Sequence, residues 1–121
     1  MVRSAASTLR QRRNRLAGSL PPIEMTLRGS LYKRFIRCGK SLCRCQLPGA
    51  RGHGPYHYLT VNRGAGNTIS LKIPEQMVEE VAEWVRNYKE LHRKLEEISR
   101  INLELVAENK KQEKTKGRGR R

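Results

Sequence analysis

Residues 38–58 read CGKSLCRCQLPGARGHGPYHY, and this stretch decides what kind of fold the chain can have. All three cysteines of the 121-residue chain fall here, spaced Cys38-x4-Cys43-x-Cys45, and two of the three histidines follow as His53 and His57. Gly39, Gly49, Gly52 and Gly54, with Pro48 and Pro55, break any long helix or strand, so the stretch reads as a loop. Soft ligands crowded into one loop point to a metal, because thiolates and imidazole bind zinc tetrahedrally. The expected ligands are Cys38, Cys43, Cys45 and His53, with His57 in reserve. Cys43-x-Cys45 is tighter than the spacing usual in zinc sites. Gly39 allows a tight turn around a bound thiolate. Arg37, Lys40 and Arg44 favour the thiolate form and offset its charge. Four protein ligands make the site structural, with no open position for catalysis. Reactive or merely buried thiols are the alternative.

Working outward, residues 26–37 (TLRGSLYKRFIR) mix apolar and basic residues. Their Tyr, Phe and Ile favour a strand running into Cys38, with Leu31, Phe35 and either Tyr32 or Ile36 facing a core. Residues 56–61 and 68–73 read as a β-hairpin across the link NRGAGN, whose Gly and Asn accept positive φ. One hairpin face carries His57, Leu59, Val61, Ile69, Leu71 and Ile73. The other carries Tyr56, Tyr58, Thr60 and Lys72. On the aliphatic face, the plain reading of His57 is a hydrogen-bonded core histidine.

From Pro74 to residue 109 the pattern is one long helix, with Pro74 at its first position and Glu75, Glu79 and Glu80 suited to its positive end. Val81, Trp84, Tyr88, Leu91, Leu95, Ile98, Asn102 and Leu105 recur at steps of three and four residues, a heptad seam. At ~1.5 Å per residue such a helix runs on the order of 50 Å, more than a three-stranded sheet covers. The far half therefore needs a partner helix. Tyr88, Leu91, Leu95, Ile98, Asn102 and Leu105 are the expected oligomerisation residues, in a homodimer or with a hetero coiled-coil partner. A buried Asn102 would fix the register.

Four segments result: an arm and linker (1–25), a zinc-loop and hairpin module (26–73), the helix (74–109) and a basic tail (110–121). Ser7 or Thr8 caps a short arginine-rich helix in the arm, too short to persist alone in water. The arm is expected to be disordered until it meets phosphate, and the tail to be disordered. The formal net charge is +15, and hydrophobic residues make up only 36%, so any core is small and in need of a staple. Residues 24–73 carry nine Lys or Arg and a single acid, Glu24, while residues 74–109 carry nine Glu against five basic residues. Such a balance favours an anionic partner, nucleic acid first and an acidic membrane second. No apolar run approaches a membrane span, and three clustered cysteines suit a reducing cytoplasm better than a disulfide framework. The acid-free, Arg- and Ser-rich start also fits a mitochondrial transit peptide, but the same bias continues to residue 73.

Nothing resembles a nucleophile–base pair, a paired-carboxylate site or a phosphate loop, so no catalytic residue, small-molecule substrate or enzyme activity is expected. The expected nucleic-acid contacts are Arg10, Arg12, Arg13 and Arg15 in the arm, Arg37, Lys40, Arg44 and Arg51 around the loop, and the tail from Lys110. Tyr56 and Tyr58 beside the loop cations suit stacking on unpaired bases. Packing tyrosines in the sheet are the plain alternative.

Gly29-Ser30-Leu31, Cys38-Gly39-Lys40-x-x-Cys43-x-Cys45, His53-Gly54-Pro55-Tyr56 and Pro74 before a long helix together resemble a group of short uncharacterised bacterial and archaeal proteins. That family is a domain of unknown function, sometimes found beside mobile-element genes. The resemblance covers about residues 26–105. Ser41 stands where the family often has Pro, His57 where it often has Tyr, and Asn67 where Lys often precedes Thr. The His57 departure favours His53 as the ligand.

The expected fold is α+β, a zinc-stapled antiparallel sheet of about three strands packed on a long C-terminal helix that extends as a coiled coil. The expected function is non-catalytic nucleic-acid binding, DNA or RNA, by a dimer. The rivals are a coiled-coil adaptor and a thiol-based redox regulator.

Overall fold

Alternating apolar and polar residues on either side of a glycine-rich link give the chain its sheet, and one unbroken helical pattern gives it its spine. The computed structural model describes residues 4–119. Helix α1 covers Ala5–Ala17. Strands β1 (Ser30–Ile36), β2 (His53–Asn62) and β3 (Thr68–Lys72) follow, then helix α2 (Val78–Gly119). The strands form one antiparallel sheet in the order β1-β2-β3. This is the expected α+β architecture, a three-stranded sheet packed on a long C-terminal helix. No helix among the described residues is long and apolar enough to cross a membrane.

Residues 24–88 form one compact unit. Its core is Leu59 and Ile73 from the sheet and its exit, with Val81 and Val85 from the first turns of α2. Leu27, Leu31, Val61, Met77, Val78 and Trp84 pack around them half-buried. The aliphatic hairpin face is thus the one the helix covers. Phe35 and Tyr32 are not core residues, since both are exposed. Two hydrogen bonds tie the segment before β1 to the helix: Leu27 N–H donates to the Trp84 carbonyl at 3.0 Å, and Asn87 Nδ2 donates to the Met25 carbonyl at 2.9 Å. The hairpin link turns through left-handed Gly64, Ala65 and Gly66, with Asn62 Oδ1 accepting from Gly64 N–H at 2.8 Å.

Pro74 does not open α2. A single 3-10 turn at Glu75–Met77 intervenes, and the α-helix starts at Val78. At the other end α2 runs to Gly119, past the residue-109 boundary and through backbone expected to be a disordered tail. Residues 120 and 121 lie outside the described range.

Among the described residues, 4–23 and 89–119 form the second unit. The arm is a helix here, capped by Ser4 rather than Ser7 or Thr8, with Ser4 Oγ accepting the Ser7 N–H at 3.1 Å. A short arginine-rich helix is marginal alone, but this one has partners. Arg12 pairs with Glu97 at 2.6 Å and Arg13 Nη1 donates to Asn102 Oδ1 at 3.1 Å. The Lys94 ammonium bonds the Ser19 carbonyl and hydroxyl just beyond the end of α1. Leu91, Ile98 and Leu105 are half-buried, but Lys94 and Ile101 are the buried positions, Leu95 is 49% exposed and Asn102 faces solvent. A lysine reads as polar in a sequence pattern, yet its stem buries when its ammonium finds acceptors.

Candidate metal centre and the open face of the sheet

The end of the sheet builds the site. Cys38 leaves β1, Cys43 and Cys45 flank Arg44 at a short 3-10 turn (Arg44–Gln46), and His53 is the first residue of β2. Ile36 pairs with His53 across the ladder, just past an irregularity between Arg34 and Ile36. That pairing returns the chain to the cysteine turn. Gly52 makes the return possible: its φ is +87°, and a Cβ there would lie 3.0 Å from the Ile36 carbonyl carbon. At Gly54, with φ +124°, a Cβ would meet Tyr56 N at 2.8 Å and the Arg34 carbonyl oxygen at 2.9 Å.

The ligand atoms of Cys38, Cys43, Cys45 and His53 all lie within 4.8 Å of one another, and the four residues can hold a metal ion. The Cys38 and Cys45 sulfurs are 3.5 Å apart, and Cys43 Sγ lies 3.1 Å from His53 Nε2. A tetrahedral ion with metal–sulfur bonds of about 2.3 Å would set sulfur–sulfur edges at about 3.8 Å, close to what the loop already holds. Each sulfur receives one backbone N–H: Lys40 N–H on Cys38, Cys45 N–H on Cys43, and Cys38 N–H on Cys45 at 3.3 Å. Donors aimed at sulfur favour the charged thiolate. The Cys45 N–H, then the Cys38 and Cys45 thiols and the His53 ring, bring the Cys43 thiol down to about 6 against partial burial. At Cys38 the Lys40 N–H pulls downward, but Cys43, Cys45 and burial together hold the thiol above its ordinary value. Gln46 locks the turn from outside, its amide donating to the Cys38 carbonyl.

All four expected ligands are brought together. His57 is outside the group; it pairs with Lys33 across the sheet, and its carbonyl accepts the Ile73 N–H at 2.8 Å. The basic and aromatic residues sort differently from the expectation. Arg51 stands over the Phe35 ring, 5.9 Å from its centroid, and not beside the tyrosines. Arg37, Lys40 and Arg44 are exposed around the cysteine turn. The cations at the tyrosines are Arg34, 5.8 Å from the Tyr58 ring centre, and Lys72, 3.9 Å from that of Tyr56. Tyr32 stacks on Tyr58 with ring centres 5.6 Å apart and planes at 21°. Tyr32 and Arg34 escape a sequence reading because only the register places them beside the expected face of Tyr56, Tyr58 and Lys72: Tyr32 opposite Tyr58, and Arg34 opposite Tyr56.

A protein family described as a domain of unknown function (DUF6788) matches residues 6–83. The matched span starts in α1, earlier than the resemblance over residues 26–105, and ends in the first turns of α2. No curated protein and no solved structure matches the chain.

Proposed function

The chain belongs to the DUF6788 family, and we propose that it acts there as a small zinc-held nucleic-acid-binding protein without catalytic activity. One observation carries the reading: a tetrad of three N–H-bonded sulfurs and an imidazole sits in a segment, residues 26–73, with nine Lys or Arg and no Asp or Glu. Three sulfurs and one nitrogen within 4.8 Å of one another suit zinc, and four protein ligands suit a structural ion. The ion would tie the end of β1 to the start of β2 in a unit whose buried core is only Leu59, Ile73, Val81 and Val85 with Cys45. Reduced cysteines of this kind fit a cytoplasmic setting.

The basic surface around that staple is the phosphate-binding part. Arg37, Lys40, Arg44 and Arg51 surround the loop, while Arg10, Arg12, Arg13 and Arg15 on α1 and the residues from Lys110 add charge elsewhere. Phosphate contacts position a nucleic acid and release counterions, so affinity falls steeply with salt. Titration of labelled duplex and single-stranded oligonucleotides at several salt concentrations tests the reading. Affinity at near-physiological salt no better than that of polylysine of equal charge would contradict it.

A second reading has its own observation. Leu95, Leu103 and Val106 are half to two-thirds exposed on α2. This stripe favours self-association or a coiled-coil partner, in which case the protein is an adaptor.

A further inference from the structure

One face of the sheet is covered by α2, and the other is built from tyrosines, cations and hydroxyls. Cross-strand partners share a face, as do alternate residues along a strand. The register therefore stacks three rungs on the outer face: Ser30, Thr60 and Ser70; then Tyr32, Tyr58 and Lys72; then Arg34 and Tyr56. Tyr32 and Tyr58 are already stacked, and Arg34 and Lys72 lie within 6 Å of tyrosine ring centres. The Tyr32 hydroxyl and Ser70 Oγ are 2.6 Å apart, which holds the edge ring in place. A cleft of about 710 Å³ opens beside Tyr56 and Lys72, bounded by Pro55, Pro74 and Glu75.

We propose that this open face is a binding site for unpaired nucleotides, with bases stacking on Tyr32, Tyr58 and Tyr56 and phosphates meeting Arg34 and Lys72. The inference rests on the nucleic-acid reading above and deepens it by naming single strands as the ligand. Flat rings standing on a sheet can extend a stack only with bases that are not already paired and stacked in a duplex. A cation beside Tyr58 and another beside Tyr56 supply what a nucleotide needs and an apolar peptide does not. The hydroxyl rung offers donors and acceptors to base edges. Residues 26–73 hold no acid, so the strands of this face add no carboxylate against the phosphates. Glu75, at the rim of the cleft, is the one acid lining it among the described residues.

The test uses the full-length, zinc-loaded protein and fluorescence anisotropy with a ten-nucleotide single strand and a duplex of matched length. Tyr58→Leu and Tyr32→Leu are each expected to weaken single-strand binding about tenfold, as the loss of one stacked base does, and to change duplex binding less than twofold. Tyr58→Phe keeps the ring and is expected to keep the affinity. Thermal melts identify any variant that has lost its fold, and Tyr32, on the edge strand, then stands in for Tyr58. If folded Leu variants bind single strands as the wild type does, the site is wrong while the nucleic-acid reading stands. If polyglutamate competes as well as the oligonucleotide, charge alone acts and the site is likewise wrong. If the wild type binds no oligonucleotide at all, the wider reading falls and this one with it.

Discussion

Cys43 Sγ lies 3.1 Å from His53 Nε2, although ten residues separate them, because the Ile36–His53 pair closes the loop between β1 and β2. That contact makes the cysteine turn a part of the sheet. Removing one ligand should therefore act on the fold. Cys43→Ser is expected to unfold residues 24–88 as measured by circular dichroism, since a structural ion contributes folding energy outright. A folded Cys43→Ser protein with a wild-type melting temperature would mean the ion is incidental.

Zinc uptake should be linked to protons. At pH 7 Cys43, with its thiol at about 6, is mostly thiolate, while Cys38, held above its ordinary value by Cys43, Cys45 and burial, keeps its proton until a metal displaces it. Binding is expected to release fewer than three protons per ion, read by calorimetry in buffers of different ionisation enthalpy. Affinity should weaken further as the pH drops through about 6 and Cys43 takes up its own proton. A pH-independent affinity would contradict the thiolate assignment.

Leu59 is the most central sheet residue of the core, 3% exposed. Leu59→Ala is expected to cost about 2–5 kcal/mol in chemical denaturation, since the cavity adds to the lost transfer energy. A loss under about 1 kcal/mol would place the core elsewhere.

Lys94 is buried with its ammonium on the Ser19 carbonyl and hydroxyl and on Glu90 at 3.1 Å. Lys94→Met keeps the stem and removes the donor. The orphaned acceptors should cost about 1–3 kcal/mol, seen as faster amide exchange in α1 with residues 24–88 unaffected. Unchanged exchange would show that the contact does not hold α1.

The exposed Leu95, Leu103 and Val106 should mediate self-association. Leu95→Glu with Leu103→Glu is expected to turn a dimer into a soluble monomer in sedimentation, with metal binding kept. A wild type that is monomeric at high concentration would leave a hetero partner as the reading of this stripe.

The cluster of Cys38, Cys43, Cys45 and His53 was legible because three thiols and an imidazole gathered in one glycine-rich loop match the donor set of a tetrahedral ion. The hairpin was legible because alternation with period two survives in the register Leu59–Leu71 and Val61–Ile69. The helix was legible in type but not in its contacts. Whether Leu95 or Lys94 turns inward depends on what lies against α2, and the buried Lys94 has Ser19, distant in sequence, among its acceptors. The arm looked too short to persist, as an isolated helix of its length would be. Its partners Glu97 and Asn102 lie about ninety residues away, beyond the reach of any local pattern. The open face was half legible: Tyr56, Tyr58 and Lys72 shared a hairpin face by alternation, but Tyr32 and Arg34 join them only through strand register.

X-ray absorption at the zinc edge, on purified protein with its metal content measured, tests the central claim most directly. The account predicts one zinc per chain with three sulfur neighbours at about 2.3 Å and one nitrogen at about 2.0 Å, and loss of folding when a chelator strips it. Protein that binds no zinc and keeps its structure in chelator would contradict it.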